Sequence, residues 1–163
     1  MDSLLTLAES HPRRSFAAGD ILIAQGIEGG DLFILESGQL SVSRDGVDIA
    51  TIAVPGSLIG EMSVVLGSRS SATVQAEHPS VVRVIHDARQ YLKTDPELTF
   101  QIAWLMAYRL DATSAYLVQL TKDHAGKPDG GLLARILSSL NAPDDKRFVT
   151  VNRGDMFSSE REA

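Results

Sequence analysis

Gly38-Gln-Leu-Ser-Val-Ser-Arg-Asp-Gly46 is the stretch whose reading decides the fold. Leu40 and Val42 alternate with Gln39, Ser41 and Ser43, so one set of side chains faces a core and the other faces water, the period-2 mark of a half-buried strand. Asp45-Gly46 suits a two-residue hairpin turn, and Val47 to Val54 then reads as the returning strand. Working outward, the same grammar repeats from Arg13 to His86. Apolar or alternating runs at Ile21 to Ala24, Leu32 to Glu36, Thr73 to Ala76 and Val81 to Ile85 are separated by turn residues such as Gly26, Gly29-Gly30-Asp31, Pro55-Gly56, Gly60 and Gly67. Many short strands joined by tight turns predict an antiparallel sandwich or roll, mainly β with flanking α.

Helical patterns lie on both sides. Ser3 to Ala8 predicts a short helix. Asp95 to Lys122 predicts one long helix, with Asp95 as cap and Pro96 in the first turn, where its missing N–H costs nothing. Ala103, Leu110 and Leu117 fall seven apart, as do Met106, Thr113 and Leu120, giving a heptad seam of about three turns. That seam can pack on the roll or join two subunits as a homodimer. Gly126 to Gly131 reads as a flexible break, followed by a short apolar helix over Leu132 to Leu140 and a mobile polar tail to Ala163. The expected organisation is therefore a roll plus long helix over 1–125 and a linker, short helix and tail over 126–163.

Composition narrows the function. The chain has 163 residues, 44% of them apolar, enough for one ordinary domain with its own core. A net charge of -6 argues against a broad nucleic-acid footprint. With no cysteine there is no disulfide, no Cys-ligated zinc or iron–sulfur centre and no thiol nucleophile. No apolar stretch approaches the roughly 20 residues that span a bilayer, and the N-terminus lacks the pattern of a signal peptide, so the expected location is cytoplasmic without a membrane partner. His11, His78, His86 and His124 are scattered without metal spacing, and no catalytic triad, P-loop or close acid pair stands out. Neither an enzyme nor a bound metal or cofactor is expected.

The chemistry concentrates in Gly60-Glu-Met-Ser-Val-Val-Leu-Gly-Ser-Arg-Ser-Ser-Ala-Thr-Val74. Glu61 can accept a hydrogen bond from a ribose hydroxyl, and Arg69 offers a planar, permanently charged donor for a phosphate. Ser70 and Ser71 add hydroxyls and let a ligand approach the main chain. The competing reading is a surface turn with a solvated acid and base.

Three blocks, Ala18 to Gly26, Gly30 to Gly38 and Gly60-Glu-Met, occur in order and at suitable separations, and together they resemble the cyclic-nucleotide-binding domain family. The resemblance covers about residues 13 to 120. It implies a double-stranded β-helix (jelly-roll) β-roll, a short phosphate-cassette helix and a long C-terminal helix. It also implies a ligand, cyclic AMP rather than cyclic GMP, held by Gly60, Glu61, Met62 and Ser63 at the cassette's start and by Ser71 and Ala72 near its end. The usual ending of the cassette resembles Pro-Arg-Ser-Ala-Thr-Val, whereas here Arg69 takes the proline position and Ser70 the arginine position. Either the loop shifts so that Arg69 still reaches the phosphate, or that charge partner is lost, at about 1.5–3 kcal/mol. On the long helix, Thr113 and Ser114 match a pair that contacts the base in the family, and helical hydroxyls otherwise bond their own preceding carbonyls.

The expected function is a regulatory sensor that shifts the long helix when ligand binds and acts on a protein partner the sequence does not name. The alternative is a degenerate roll that no longer binds nucleotide and serves as a dimerising or protein-docking module. Leu132 to Leu140 resembles the first helix of a winged helix-turn-helix, but no complete recognition helix follows, so autonomous DNA binding is not expected.

Overall fold

The computed structural model describes residues 4–123. The elements in chain order are α1 (Leu4–Leu7), β1 (Arg13–Phe16), β2 (Ile21–Ile23), β3 (Leu32–Ser37), β4 (Leu40–Arg44), β5 (Val47–Ile52), β6 (Leu58–Ile59), α2 (Glu61–Leu66), β7 (Thr73–Ala76), β8 (Ser80–Ile85), α3 (Ala88–Thr94) and α4 (Pro96–Asp123). The chain divides into two compact units, 1–105 and 106–163. Roll, cassette and the first turns of α4 belong to the first unit. Residues 106–123 continue α4 in the second. The expected linker, helix 132–140 and tail lie outside the described residues.

The eight strands form two four-stranded antiparallel sheets, ordered β1-β8-β3-β6 and β2-β7-β4-β5. This is the expected roll. The six strands anticipated from alternation are present within about two residues at each end. The β4–β5 hairpin closes as Asp45-Gly46 predicts: Arg44 pairs with Val47, and both turn residues have positive φ, 53° and 77°, as a type I′ turn requires. Leu98 N–H donates to Asp95 Oδ1 at 3.0 Å, so Asp95 caps α4 as its position before Pro96 suggests.

Three elements were not anticipated. In β1 (Arg-Arg-Ser-Phe) only Phe16 is buried, so no alternation is visible; pairing with β8 makes it a strand. β6 has two residues, too few to carry a period. α3 follows a turn at Asp87 and packs near α2.

Between the sheets lie Phe16, Phe33, Leu35, Leu40, Ile59, Val74, Ala76, Val82 and Val84. Leu32 and Ile34, on the other face of β3, are also fully buried, because α1 contacts that strand. A strand buried on both faces reads as the continuous run Leu-Phe-Ile-Leu rather than an alternation. In α4, Leu98 and Ile102 are buried, whereas of the heptad positions Ala103, Leu110 and Thr113 are exposed and Met106, Leu117 and Leu120 are half-buried.

One charged cluster ties the first sheet to the N-terminal loop. Glu36 accepts hydrogen bonds from the Arg13 guanidinium and, at 2.8 Å, from Arg83 Nε. Arg83 Nη1 also donates to the carbonyls of Glu9 and His11 at 2.9 and 3.0 Å. The Arg13 hydrogen bond, above all, holds the Glu36 carboxyl below its ordinary value of 4.5. The folded state thus binds this proton less readily than the unfolded chain, so the stabilisation is present above pH 4.5 and is lost as pH falls through the lowered value. Urea titrations at a series of pH values should give a stability slope below pH 4.5 that flattens in Glu36→Gln.

Candidate functional site

The cassette begins where β6 ends. Gly60 takes φ 91° at the cap of α2, and a Cβ there would stand 3.2 Å from the Asp31 carbonyl oxygen and 3.3 Å from Ile23 Cδ1. The turn therefore holds α2 close against the β2–β3 side of the roll. Gly67 closes the helix, its N–H donating to the Ser63 carbonyl.

Along α2 the two faces separate cleanly. Glu61 is 6% exposed and engaged by its surroundings, and Ser63 is 8% exposed with its hydroxyl donating to the Gly60 carbonyl at 3.0 Å. Met62, Val65 and Leu66 are exposed. A carboxylate is almost never buried without partners, so Glu61 is not part of a solvated surface turn.

After α2 the loop returns as a strand-like segment. Gly26 N–H donates to the Ser70 carbonyl at 2.8 Å and Ser70 N–H to the Ile27 carbonyl at 3.0 Å. This two-bond clamp sets the register of the cassette's end. It turns the Ser70 side chain inward, where it is 8% exposed, and sends Arg69 outward, with a side chain 70% exposed and its Nε 3.9 Å from Glu28 Oε1. Ser71 is exposed and Ala72 half-buried.

Ser63 and Ser70 both line a cleft of about 190 Å³ whose wall also includes Arg14, Leu22, Ile23, the 27–31 loop and Phe33. Of the predicted site residues the structure thus brings Ser63 and Ser70 to the cleft; Glu61 is buried at the start of α2 and Gly60 caps that helix without lining the cleft, and Met62, Arg69 and Ser71 are exposed. Arg14 and the Gly29-Gly30 backbone are cleft groups that sequence reasoning did not single out. Arg14 lies at the start of a strand that shows no period, and its only advance signal was its charge.

Thr113 and Ser114 lie in the second unit. Thr113 is exposed and its Oγ1 donates to the Arg109 carbonyl at 2.7 Å; Ser114 is half-buried. Among the described residues no group of three His, Asp or Glu side chains could hold a metal ion, and no helix is long and apolar enough to cross a membrane.

Residues 13–92 match the family model described as the cyclic nucleotide-binding domain. Similar curated proteins include a CRP-like cAMP-activated global transcriptional regulator of Mycobacterium tuberculosis, 30% identical over 111 residues (64% of this chain, 50% of that protein). Another is Glutaminase 2 of Bradyrhizobium diazoefficiens, 32% identical over 121 residues, 70% of this chain but 19% of that protein. The chain thus spans between about a fifth and a half of these two relatives. The Thermus thermophilus catabolite activator protein superposes with a TM-score of 0.63 at 26% identity, covering 75% of this chain and 61% of that one. The two antiparallel sheets, the glycine-launched cassette helix with its buried glutamate, and the family match over 13–92 agree: these residues are a domain of the cyclic nucleotide-binding family.

Proposed function

We propose that this domain binds a cyclic nucleotide, cyclic AMP in preference to cyclic GMP, and acts as a regulatory rather than a catalytic module. The observation that carries the reading is the cassette itself: Gly60 in the left-handed region, Glu61 buried in the first turn of α2, and buried Ser63 and Ser70 on one cleft. A carboxylate held at this position is the acceptor that a ribose hydroxyl requires. The preference for cyclic AMP draws on the mycobacterial relative, described as cAMP-activated. The glutaminase match supports a regulatory role as well, since it involves about a fifth of that protein, the share of an appended module.

In this reading occupancy of the cassette repositions α4, and ligand biases the two states only by its difference in affinity for them. A homodimer through α4 belongs to the same proposal, along the heptad seam of Ala103, Leu110 and Leu117 with Met106, Thr113 and Leu120. Thr113 and Ser114 would then contact the base, and for Thr113 the hydroxyl would exchange its bond to the Arg109 carbonyl.

Calorimetric titration is the test. Cyclic AMP should bind, and Glu61→Gln should weaken it about ten- to hundredfold, the worth of one charged hydrogen bond. Ligand should also change amide hydrogen exchange over 96–123. No heat and no change in melting temperature at millimolar cyclic AMP or cyclic GMP would overturn the reading in favour of a dimerising or docking roll.

A further inference from the structure

Arg13 and Arg14 are adjacent, and the pleat of β1 sends them to opposite faces. Arg13 reaches Glu36 on one side. Arg14 shares its side with Phe16, which enters the core, and its guanidinium carbon sits 4.8 Å from the centre of the Phe16 ring. From there Arg14 lines the same cleft as Ser63 and Ser70. Resting on the proposed nucleotide-binding function, we propose that Arg14 is the cation that receives the ligand's phosphate, in place of any arginine of the cassette.

Charge partnering in the cleft supports this assignment. Two carboxylates stand in its wall, and each already has a partner. Glu28 lies 3.9 Å from Arg69 Nε, and Asp31 Oδ2 lies 3.0 Å from His86 Nδ1. Among the described residues no carboxylate lies within 4.0 Å of the Arg14 guanidinium, a state it shares with Arg89 of α3, which is not in the cleft lining, whereas Arg13, Arg44, Arg69 and Arg83 each have one. Its fork of N–H donors matches two oxygens of one phosphate. Ser70, 8% exposed, places a second polar side chain in the lining of the same cleft. Leu22, Ile23 and Phe33 form the apolar floor, which lowers the local dielectric and strengthens a charge pair made over it.

Size limits what enters. At about 190 Å³ the cleft is smaller than the roughly 300 Å³ at which pockets begin to enclose a whole drug-sized ligand. It suits the sugar-phosphate end of a cyclic nucleotide and leaves the base outside. Arg69, by contrast, is turned away from this space by the main-chain clamp at Ser70.

The experiment is a calorimetric titration of the full chain with cyclic AMP, run on the wild type and on Arg14→Met, Arg14→Lys and Arg69→Gln, with melting temperatures measured alongside. Arg14→Met keeps an apolar stem over Phe16 and removes the charge. It should lose about ten- to hundredfold in affinity with little change in melting temperature, Arg14→Lys should recover part of that loss, and Arg69→Gln should stay within about threefold of wild type. Wild-type affinity in Arg14→Met overturns the assignment alone. So does a loss that Lys fails to rescue or that tracks a fall in melting temperature. A wild type that takes up no cyclic AMP overturns the functional reading and this assignment with it.

Discussion

Gly38→Ala is expected to destabilise the fold by more than about 3 kcal/mol. Two costs add. Gly38 has φ 101°, outside the region that side chains adopt readily, which alone costs about 1–3 kcal/mol. A Cβ there would also stand 2.3 Å from Ser80 Oγ, 2.6 Å from the Pro79 carbonyl oxygen and 2.6 Å from Ser80 Cα. Two of those atoms are backbone and cannot turn aside. The third belongs to a hydroxyl that accepts the Gln39 N–H at 3.1 Å and donates to the His78 carbonyl at 2.7 Å, so displacing it breaks the link between the β3–β4 and β7–β8 turns. For a chain of this size each kcal/mol moves the melting temperature by roughly 2–4 °C, so a fall of at least about 6 °C follows. Gly46→Ala is the control. Gly46 also has positive φ, 77°, but nothing lies within 4 Å of its Cβ position, so only the backbone cost of about 1–2 kcal/mol applies. Equal melting temperatures for the two variants would show that the β3–β4 turn yields freely, contrary to the packing seen.

Phe33→Ala should cost about 3–5 kcal/mol in unfolding free energy, measured by urea titration. Phe33 is 5% exposed, sits in the inter-sheet core with Leu35 and Ile59, and also forms the floor of the cleft beside Ile23. Removing the ring therefore leaves a cavity inside the core and deepens the cleft in the same step. The loss of stability and the loss of ligand affinity should appear together in this variant. Phe33→Leu, which refills most of the volume, should cost only about 1–2 kcal/mol and retain most of the affinity. A cost below about 1 kcal/mol for Phe33→Ala would mean that the sheets close over the missing ring and that the cleft floor is not built on the core.

The two variants test different levels of the same design, a roll held by turns whose backbones nearly touch and a cleft whose floor is the core. The cassette depends on both. Gly60 fits between the Asp31 carbonyl and Ile23, and the Ser70 clamp hangs on Gly26 and Ile27, so the site inherits its geometry from the β2–β3 loop rather than from α2 alone.

By itself the sequence determined the class of fold and marked out the cassette segment. Period-2 alternation in Leu40 to Arg44, the Asp45-Gly46 turn and the Gly60-Glu61 start of α2 are local properties, written into neighbouring residues by side-chain direction and backbone freedom. The same local logic placed Asp95 and Pro96 at the start of α4. Only the tertiary structure made a strand of Arg13–Phe16, because three of its four side chains are exposed and its hydrogen-bond partner, β8, lies some 65 residues further along the chain. Only the tertiary structure could also sort the charges around the cleft. Arg69 and Ser70 differ by one position, and which of them faces inward depends on main-chain bonds to Gly26 and Ile27, more than forty residues earlier. Arg14 comes to the cleft by the same kind of long-range pairing, which no spacing between neighbours records.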